Sequence, residues 1–256
     1  MNFTTRNTTD FLILLNYLDQ FDAEWCHFEC REQDVHIQIL DSSRLALIDV
    51  QLDEEYFSKY QCDKQMTIGI SLTKLLSIVR LANDQKIILK WNAHSSELNV
   101  YVNNSRHALK ASTEHQPSLD ITSLRHQCIY DIPPSKLKEW KDLYDIYNAP
   151  ITFIPAELTL TLTTNDDTGD ARVYERIVPT SIPPKLNTRC SSDDKTPYDI
   201  YEIPVPQRNI EKMVALAAFQ QPVSLRFICD TNQPVQCQVV TQHMLFNVFF
   251  STVDSV

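Results

Sequence analysis

Cys26 and Cys30 are the two side chains best spaced to do chemistry together in this chain. Two thiolates at that separation could open a zinc site. Residues 23 to 30 read as a strand, however, where an even spacing only places both on one face, and no second Cys or His pair completes a ligand set. Core packing is the expected role and no metal is expected. The seven cysteines are odd in number and scattered, which points to reduced thiols rather than a disulfide framework. Seven histidines offer no spacing that marks one as a general base. The two glycines, Gly69 and Gly169, exclude more than any residue present implies. A phosphate-cradling loop or a dinucleotide fingerprint needs several glycines so that backbone amides can approach the ligand, and a nucleophile elbow needs two around its serine. None of these can be built, so no cofactor is expected. An enzyme on an unrelated mixed fold would need a pocket of convergent titrating groups, which the sequence does not show.

The 256 residues, 43% hydrophobic and 22% charged, suit a soluble globular protein of one large or two ordinary domains. No apolar run approaches the roughly 18 to 20 residues of a membrane span, and MNFTTRNTT lacks the apolar stretch of a signal peptide, so an intracellular protein with no membrane partner is expected. On that basis the glycosylation patterns at Asn2, Asn7 and Asn103 are read as chance. The net charge of -10 argues against a protein that binds nucleic acid with its whole surface, while leaving room for local basic patches.

These residues must be positioned by a mixed set of elements. Phe11, Leu14, Leu15, Leu18 and Phe21 fall at helical spacing over 8 to 21, after the capping candidate Thr9. Strands are expected at 23 to 30, 34 to 40, 45 to 52 and 66 to 70, a helix from Leu72 to Leu81, and strands at 86 to 92, 97 to 102 and 107 to 113. The order then recurs. A helix opens at Pro134-Ser135 and carries Trp140, Leu143, Tyr144 and Tyr147. Strands follow at 150 to 155, 157 to 163 and 171 to 178 around a hairpin at Asn165 to Gly169. A helix from Pro206 to Ala218 precedes strands at 222 to 229, 234 to 240 and 244 to 251. One constant shift lays Lys74, Leu75, Leu76, Ile78 and Val79 on Lys212, Met213, Val214, Leu216 and Ala217, and Ile87 and Leu89 on Leu225 and Phe227, which reads as a weak internal duplication. The expected domains are 1–115 and 128–256, joined by a polar connecting loop at 116–127 in which Leu119 and Ile121 stand out. Residues 179 to 197 read as a long irregular loop.

Between Ile39 and Ala82 the features constrain one another: Leu40-Asp41-Ser42-Ser43, an alternating strand through Leu45, Leu47 and Asp49, then Tyr60-Gln61-Cys62-Asp63, then a strand with one glycine running straight into a Leu-Thr helix. In this order the stretch resembles the proliferating cell nuclear antigen (PCNA) family of DNA sliding clamps, most clearly over 34 to 90. The resemblance implies an α+β DNA-clamp fold with two similar domains per chain, helices lining a central hole and sheets outside, in a ring of three subunits. It implies a processivity factor that encircles duplex DNA without sequence specificity and recruits DNA polymerase and other replication and repair proteins. A homotrimer, a clamp loader and a nuclear or viral replication compartment follow in the same way. The alternatives on this fold are a subunit of a heterotrimeric checkpoint-type clamp and a clamp-like viral replication or transcription factor.

Residue by residue, the resemblance implies DNA contact by Lys74, Arg80, Lys136, Lys138, Lys141, Arg208 and Lys212. The first helix departs from the family, offering Asp10, Ile13, Asn16, Asp19 and Gln20 where clamps commonly carry lysines. A pocket for a partner peptide bearing a glutamine, an aliphatic residue and two aromatics is implied at Leu40, Leu45, Leu47, Leu119, Ile121, Pro234, Phe250 and Val253. The ring is expected to close by strand pairing between 107–115 of one subunit and 172–180 of the next, with Leu81, Leu109, Ala111, Leu143, Ile146, Tyr174 and Ile177 at the subunit joint.

Overall fold

A computed structural model of the chain describes residues 1–92, 95–113, 119, 121, 128–147, 151–155, 159–164, 175–177, 202–228 and 234–252. The chain forms two units, Met1–Asp120 with Val239–Val248, and Ile121–Gln238 with Phe249–Val256. The expected hairpin at 165 to 169 and the loop at 179 to 197 lie outside the described residues.

In the first unit the order is β1 (Asn2–Thr5), α1 (Thr8–Asp19), β2 (Cys26–Cys30), β3 (Asp34–Leu40), β4 (Ala46–Asp53), β5 (Phe57–Gln61), β6 (Met66–Ile70), α2 (Leu72–Val79), β7 (Ile88–Lys90), β8 (Glu97–Val102) and β9 (Ser105–Ser112). β1 and β5 were not legible in the sequence, because β5 turns only Phe57 fully inward and so lacks a period of two. α1 buries Phe11, Leu14, Leu15 and Leu18 on one stripe, and α2 buries Leu72, Leu75, Leu76 and Val79. The two helices pack against each other. The cap of α1 is Asn7 rather than Thr9: its Oδ1 accepts the Thr9 and Asp10 amides at 3.0 and 3.3 Å. Thr9 lies inside the helix and its hydroxyl donates to Asp84 at 2.9 Å.

β2, β3 and β4 alternate strictly, as a sheet with one buried face requires. Cys26, Phe28 and Cys30, then Val35, Ile37 and Ile39, then Ala46, Ile48, Val50 and Leu52 point inward. The opposite face carries His27, Glu29, His36, Gln38, Leu47, Asp49 and Gln51. Register places His36 across from Gln51, Gln38 across from Asp49 and Leu40 across from Leu47. The Asp41-Ser42-Ser43-Arg44 turn between β3 and β4 is built by Asp41, whose Oδ1 accepts the Leu45 and Ala46 amides at 2.7 and 3.0 Å while Oδ2 accepts the Ser43 hydroxyl at 2.7 Å. Gly69 is required by a close approach: a Cβ there would lie 2.8 Å from Nε2 of His27.

The second unit contains β10 (Cys128–Ile132), α3 (Pro134–Tyr147), β11 (Ile151–Pro155), β12 (Leu160–Thr164), β13 (Glu175–Ile177), β14 (Ile203–Val205), α4 (Gln207–Ala215) and β15 (Val223–Phe227). β16 (Val235–Val240) and β17 (Met244–Phe250) complete the chain. β10 pairs with β15, and a four-stranded sheet runs β13-β12-β11-β14. α3 packs against α4, repeating the helix pair of the first unit. Each second helix passes through a 3-10 turn to a left-handed residue, Asn83 (φ 45°) and Gln220 (φ 56°), before the next strand. The core of this unit is aromatic. Trp140 meets Phe153 at 5.6 Å between ring centroids, Phe153 meets Phe227 at 5.8 Å, and Tyr130 meets Phe227 at 5.9 Å edge-on.

Candidate nucleic-acid and peptide interfaces

In the first unit the expected DNA contacts are Lys74, exposed on α2, and Arg80, exposed at its end. Arg80 Nη2 donates to Asn16 Oδ1 on α1 at 2.8 Å. The neighbouring surface of α1 brings no cation: Asp10 is exposed, and half-exposed Asp19 accepts from Thr73 at 3.3 Å. In the second unit α3 presents Lys136, Lys138 and Lys141, and α4 presents Arg208 and Lys212, both half-exposed. Lys136 pairs with Glu139 and Lys141 with Asp145, each within one helical turn. The hydrogen bond to Asp145 holds the Lys141 ammonium above its ordinary pKa. Solvent-exposed pairs of this kind are weak and exchange readily for a phosphate. Lys74, Lys138 and Arg208 make no hydrogen bond or ion pair among the described residues, so their charge is available without breaking one.

The expected peptide-pocket residues divide between the units. In the first, Leu40 is 43% and Leu119 52% exposed, with Leu45 and Leu47 half-exposed. Leu119 is tied to β3 by Gln38, whose Oε1 accepts the Leu119 amide at 2.6 Å and whose Nε2 donates to the Leu119 carbonyl at 3.1 Å. In the second, Ile121 and Pro234 are half-exposed and Val253 lies outside the described residues. Phe250 must be corrected. It is wholly buried, a core side chain and not a wall of an open pocket. Met244 to Phe250 is apolar at nearly every position, so alternation could not tell its inward residues from its outward ones.

Of the expected joint residues, Leu81 is 52% and Ile146 70% exposed. Ala111 is half-exposed. Leu109 is a second correction: buried at 7%, it fills the core of its own unit because it lies on the inward phase of β9. Tyr174 and the side chains of Leu143 and Ile177 lie outside the described residues. The backbone adds two edges. Among the described residues β13 ends its sheet, paired only with β12. β9 pairs with β8 along its length but with β6 only through Ala111 and Ser112, leaving one side of 105–110 without a strand among the described residues.

A polar network on the outer face of β2, β3 and β4 was not foreseen from the sequence. His36 Nε2 lies 2.7 Å from Asp49 Oδ1 and its Nδ1 3.4 Å from Glu29 Oε2, while Arg31 binds both oxygens of Glu29 at 3.2 and 3.1 Å. The signal was the run of polar residues at alternate positions on three successive strands. The buried thiols of Cys26, Cys30 and Cys237 are pushed well above the ordinary range by loss of solvent, which makes them poor nucleophiles. Among the described residues no three His, Cys, Asp or Glu side chains converge as a metal set, and no helix is long and apolar enough to cross a membrane.

Residues 14–123 match the family described as proliferating cell nuclear antigen, N-terminal domain. The PCNA of Chaetomium thermophilum is 28% identical over 120 residues, 44% of this chain and 46% of that one. A probable DNA polymerase sliding clamp of Autographa californica nuclear polyhedrosis virus is 28% identical over 97 residues, 38% of each. The chain thus spans less than half the length of these two relatives. In fold it follows the crystal structure of PCNA from Thermococcus kodakaraensis with a TM-score of 0.80, at 17% identity and over 98% of both chains.

Proposed function

We propose that this chain, a divergent member of the PCNA family, acts as a DNA sliding clamp: a ring that holds polymerase and other peptide-bearing partners on duplex DNA. The single observation that carries the reading is the pair of strand edges, 105–110 of β9 and β13, each without a strand on one side among the described residues, where a neighbouring subunit would add one. Exposed Leu81 and Ile146 supply apolar surface for such a joint. Closure, rather than affinity, would retain the ring on DNA. This reconciles a net charge of -10 with a polyanionic partner, because only the helix faces need cations.

The test is mass measurement in solution combined with loading on circular and linearised DNA. A trimer that stays on circles and slides off linear ends is the expected result; a strict monomer at micromolar concentration would remove the homotrimer. Residual affinity for open duplex is expected to be weak, and Lys138→Ala and Arg208→Ala should each lower its salt slope by about one, the share of a single phosphate. Unchanged slopes would take those two residues out of the DNA face.

Partners are read as proteins carrying a glutamine-aliphatic-diaromatic peptide that docks on the exposed leucines. Leu40→Ala and Leu47→Ala are each expected to weaken such a peptide by about 1–2 kcal/mol in calorimetry. Binding indifferent to both would move the site elsewhere.

One observation favours a second reading, a subunit of a heteromeric clamp: α1 carries Asp10 and Asp19 where a cationic face would be needed in every subunit of a homotrimer. Ring formation only with a different clamp chain would establish it. An enzyme is the less favoured reading: both ring nitrogens of His36, which among the described residues pairs with two carboxylates, are already engaged.

A further inference from the structure

Gln38 is held by more than the connecting segment. Its Nε2 donates to Asp49 Oδ1 at 3.3 Å as well as to the Leu119 carbonyl, while its Oε1 receives the Leu119 amide. The side-chain amide therefore pairs with the Leu119 backbone in both directions, as an adjacent strand would. Asp49 decides which end of the amide is nitrogen, since a carboxylate accepts only from a donor. That same Oδ1 is 2.7 Å from Nε2 of His36. A continuous path of hydrogen bonds thus runs from His36 through Asp49 and Gln38 to Leu119.

The groups around His36 select its charged form. From β2 and the residue after it come Glu29 and Arg31, from β4 Asp49 and Gln51, and from its own strand Asp34 and Gln38. Both ring nitrogens face carboxylates, and only an imidazolium donates at both. Arg31, 3.4 Å from Nδ1, opposes that charge. It is largely engaged by Glu29, which it holds ionised below its ordinary range. The hydrogen bond to Asp49 is the largest influence on His36 and raises its pKa above the ordinary imidazole value, against the cost of partial burial. When the proton leaves Nδ1, Arg31 Nη2 can donate to the bared nitrogen; when it leaves Nε2, the carboxylate of Asp49 meets a lone pair. In the second case Asp49 turns away and Gln38 loses the acceptor that orients it.

We propose that His36, Asp49 and Gln38 form a proton-sensitive latch that fastens the connecting segment to β3 at Leu119 and thereby tunes docking at Leu40 and Leu119. The docking half of this rests on the peptide reading above; the latch itself does not. The sign follows from linkage. The contacts of His36 with Asp49 and Glu29 raise its folded-state pKa above about 6.5, so their contribution is full below that value and is lost as the pH climbs through the higher folded value, and with it goes the hold on Asp49 that orients Gln38. The latch is tighter on the acid side.

The test is NMR of the intact chain from about pH 5.5 to 8.5, following the His36 ring and the Leu119 amide together. A His36 midpoint above the ordinary value is expected, with the Leu119 amide shift following the same midpoint. Exchange protection at Leu119, corrected for intrinsic rate, is expected to fall about three- to tenfold across it, the loss of one hydrogen bond. In His36→Gln the Leu119 response should be flat. A Leu119 amide that ignores the His36 titration, or that titrates unchanged in His36→Gln, overturns the latch. Should that variant not fold, the two wild-type midpoints decide alone. A labelled glutamine-aliphatic-diaromatic peptide in the same buffers separates the two claims. Affinity that shifts at the His36 midpoint supports the tuning, and constant affinity overturns it. No binding at any pH overturns the docking reading, while the Leu119 amide still judges the latch.

Discussion

Replacing Asp41 by Ala is expected to cost about 2–4 kcal/mol of stability, because two backbone donors and one hydroxyl lose the buried carboxyl group that accepts from all three. Asp41 is buried, and its carboxylate organises the whole turn that sets β3 against β4. Arg44 sits in this turn at φ 59°, a left-handed position that the carboxylate's grip on the next two amides helps to impose. Asp41→Asn keeps one acceptor oxygen and should cost less. Urea unfolding of the three proteins gives the comparison; an Ala variant as stable as the parent would mean that the turn is held by the strands alone. The β3–β4 register also sets Gln38 beside Asp49 and Leu40 beside Leu47, so peptide binding should weaken even where Asp41→Ala remains folded.

The second large effect belongs to the other unit. Trp140→Ala is expected to cost about 3–5 kcal/mol, since the indole is wholly buried and its removal leaves a cavity in the core. Its ring opens the aromatic chain through Phe153 and Phe227 to Tyr130, which joins α3 to β10, β11 and β15. Loss of the indole should therefore loosen α3 and reduce the DNA affinity of its lysines together with thermal stability. Trp140→Phe, which keeps an aromatic against Phe153, should recover a good part of both. A melting temperature unmoved by Trp140→Ala would contradict the assignment of this cluster as the core.

The elements with strong periodicity were legible in the sequence. α1 and α2 carried their apolar stripes openly, and β3 and β4 were expected at 34 to 40 and 45 to 52, within a residue of where they lie. The cap of α1 was misplaced by two residues because Asn7, Thr8 and Thr9 are all good capping types and only the fold decides among them. β1 and β14 were too short for a pattern to rise above their surroundings. The site divided as well. Cations on helix faces and leucines at the ends of β3 and β4 could be named in advance because the family resemblance implies them residue by residue. Phe250 and Leu109 could not be sorted, because burial is decided by the partner strand. The His36 network was invisible for a related reason: Glu29, His36 and Asp49 meet only once three strands are laid in register.

The open sides of β9 and β13 bear on how a chain tells its own copies from other chains. A backbone edge offers the same row of amides and carbonyls whatever its sequence, so strand addition by itself cannot distinguish self from non-self. Discrimination would fall to the side chains flanking the proposed seam, for which exposed Leu81 and Ile146 are the candidates. Apolar side chains select by shape rather than by charge. A lysine or glutamate introduced at either position would leave both edges intact and still forbid like from joining like, while a chain bearing the opposite charge would be admitted. In the proposed clamp, the choice between a ring of identical subunits and a ring of different ones would be set by a few side chains, on a scaffold indifferent to the outcome.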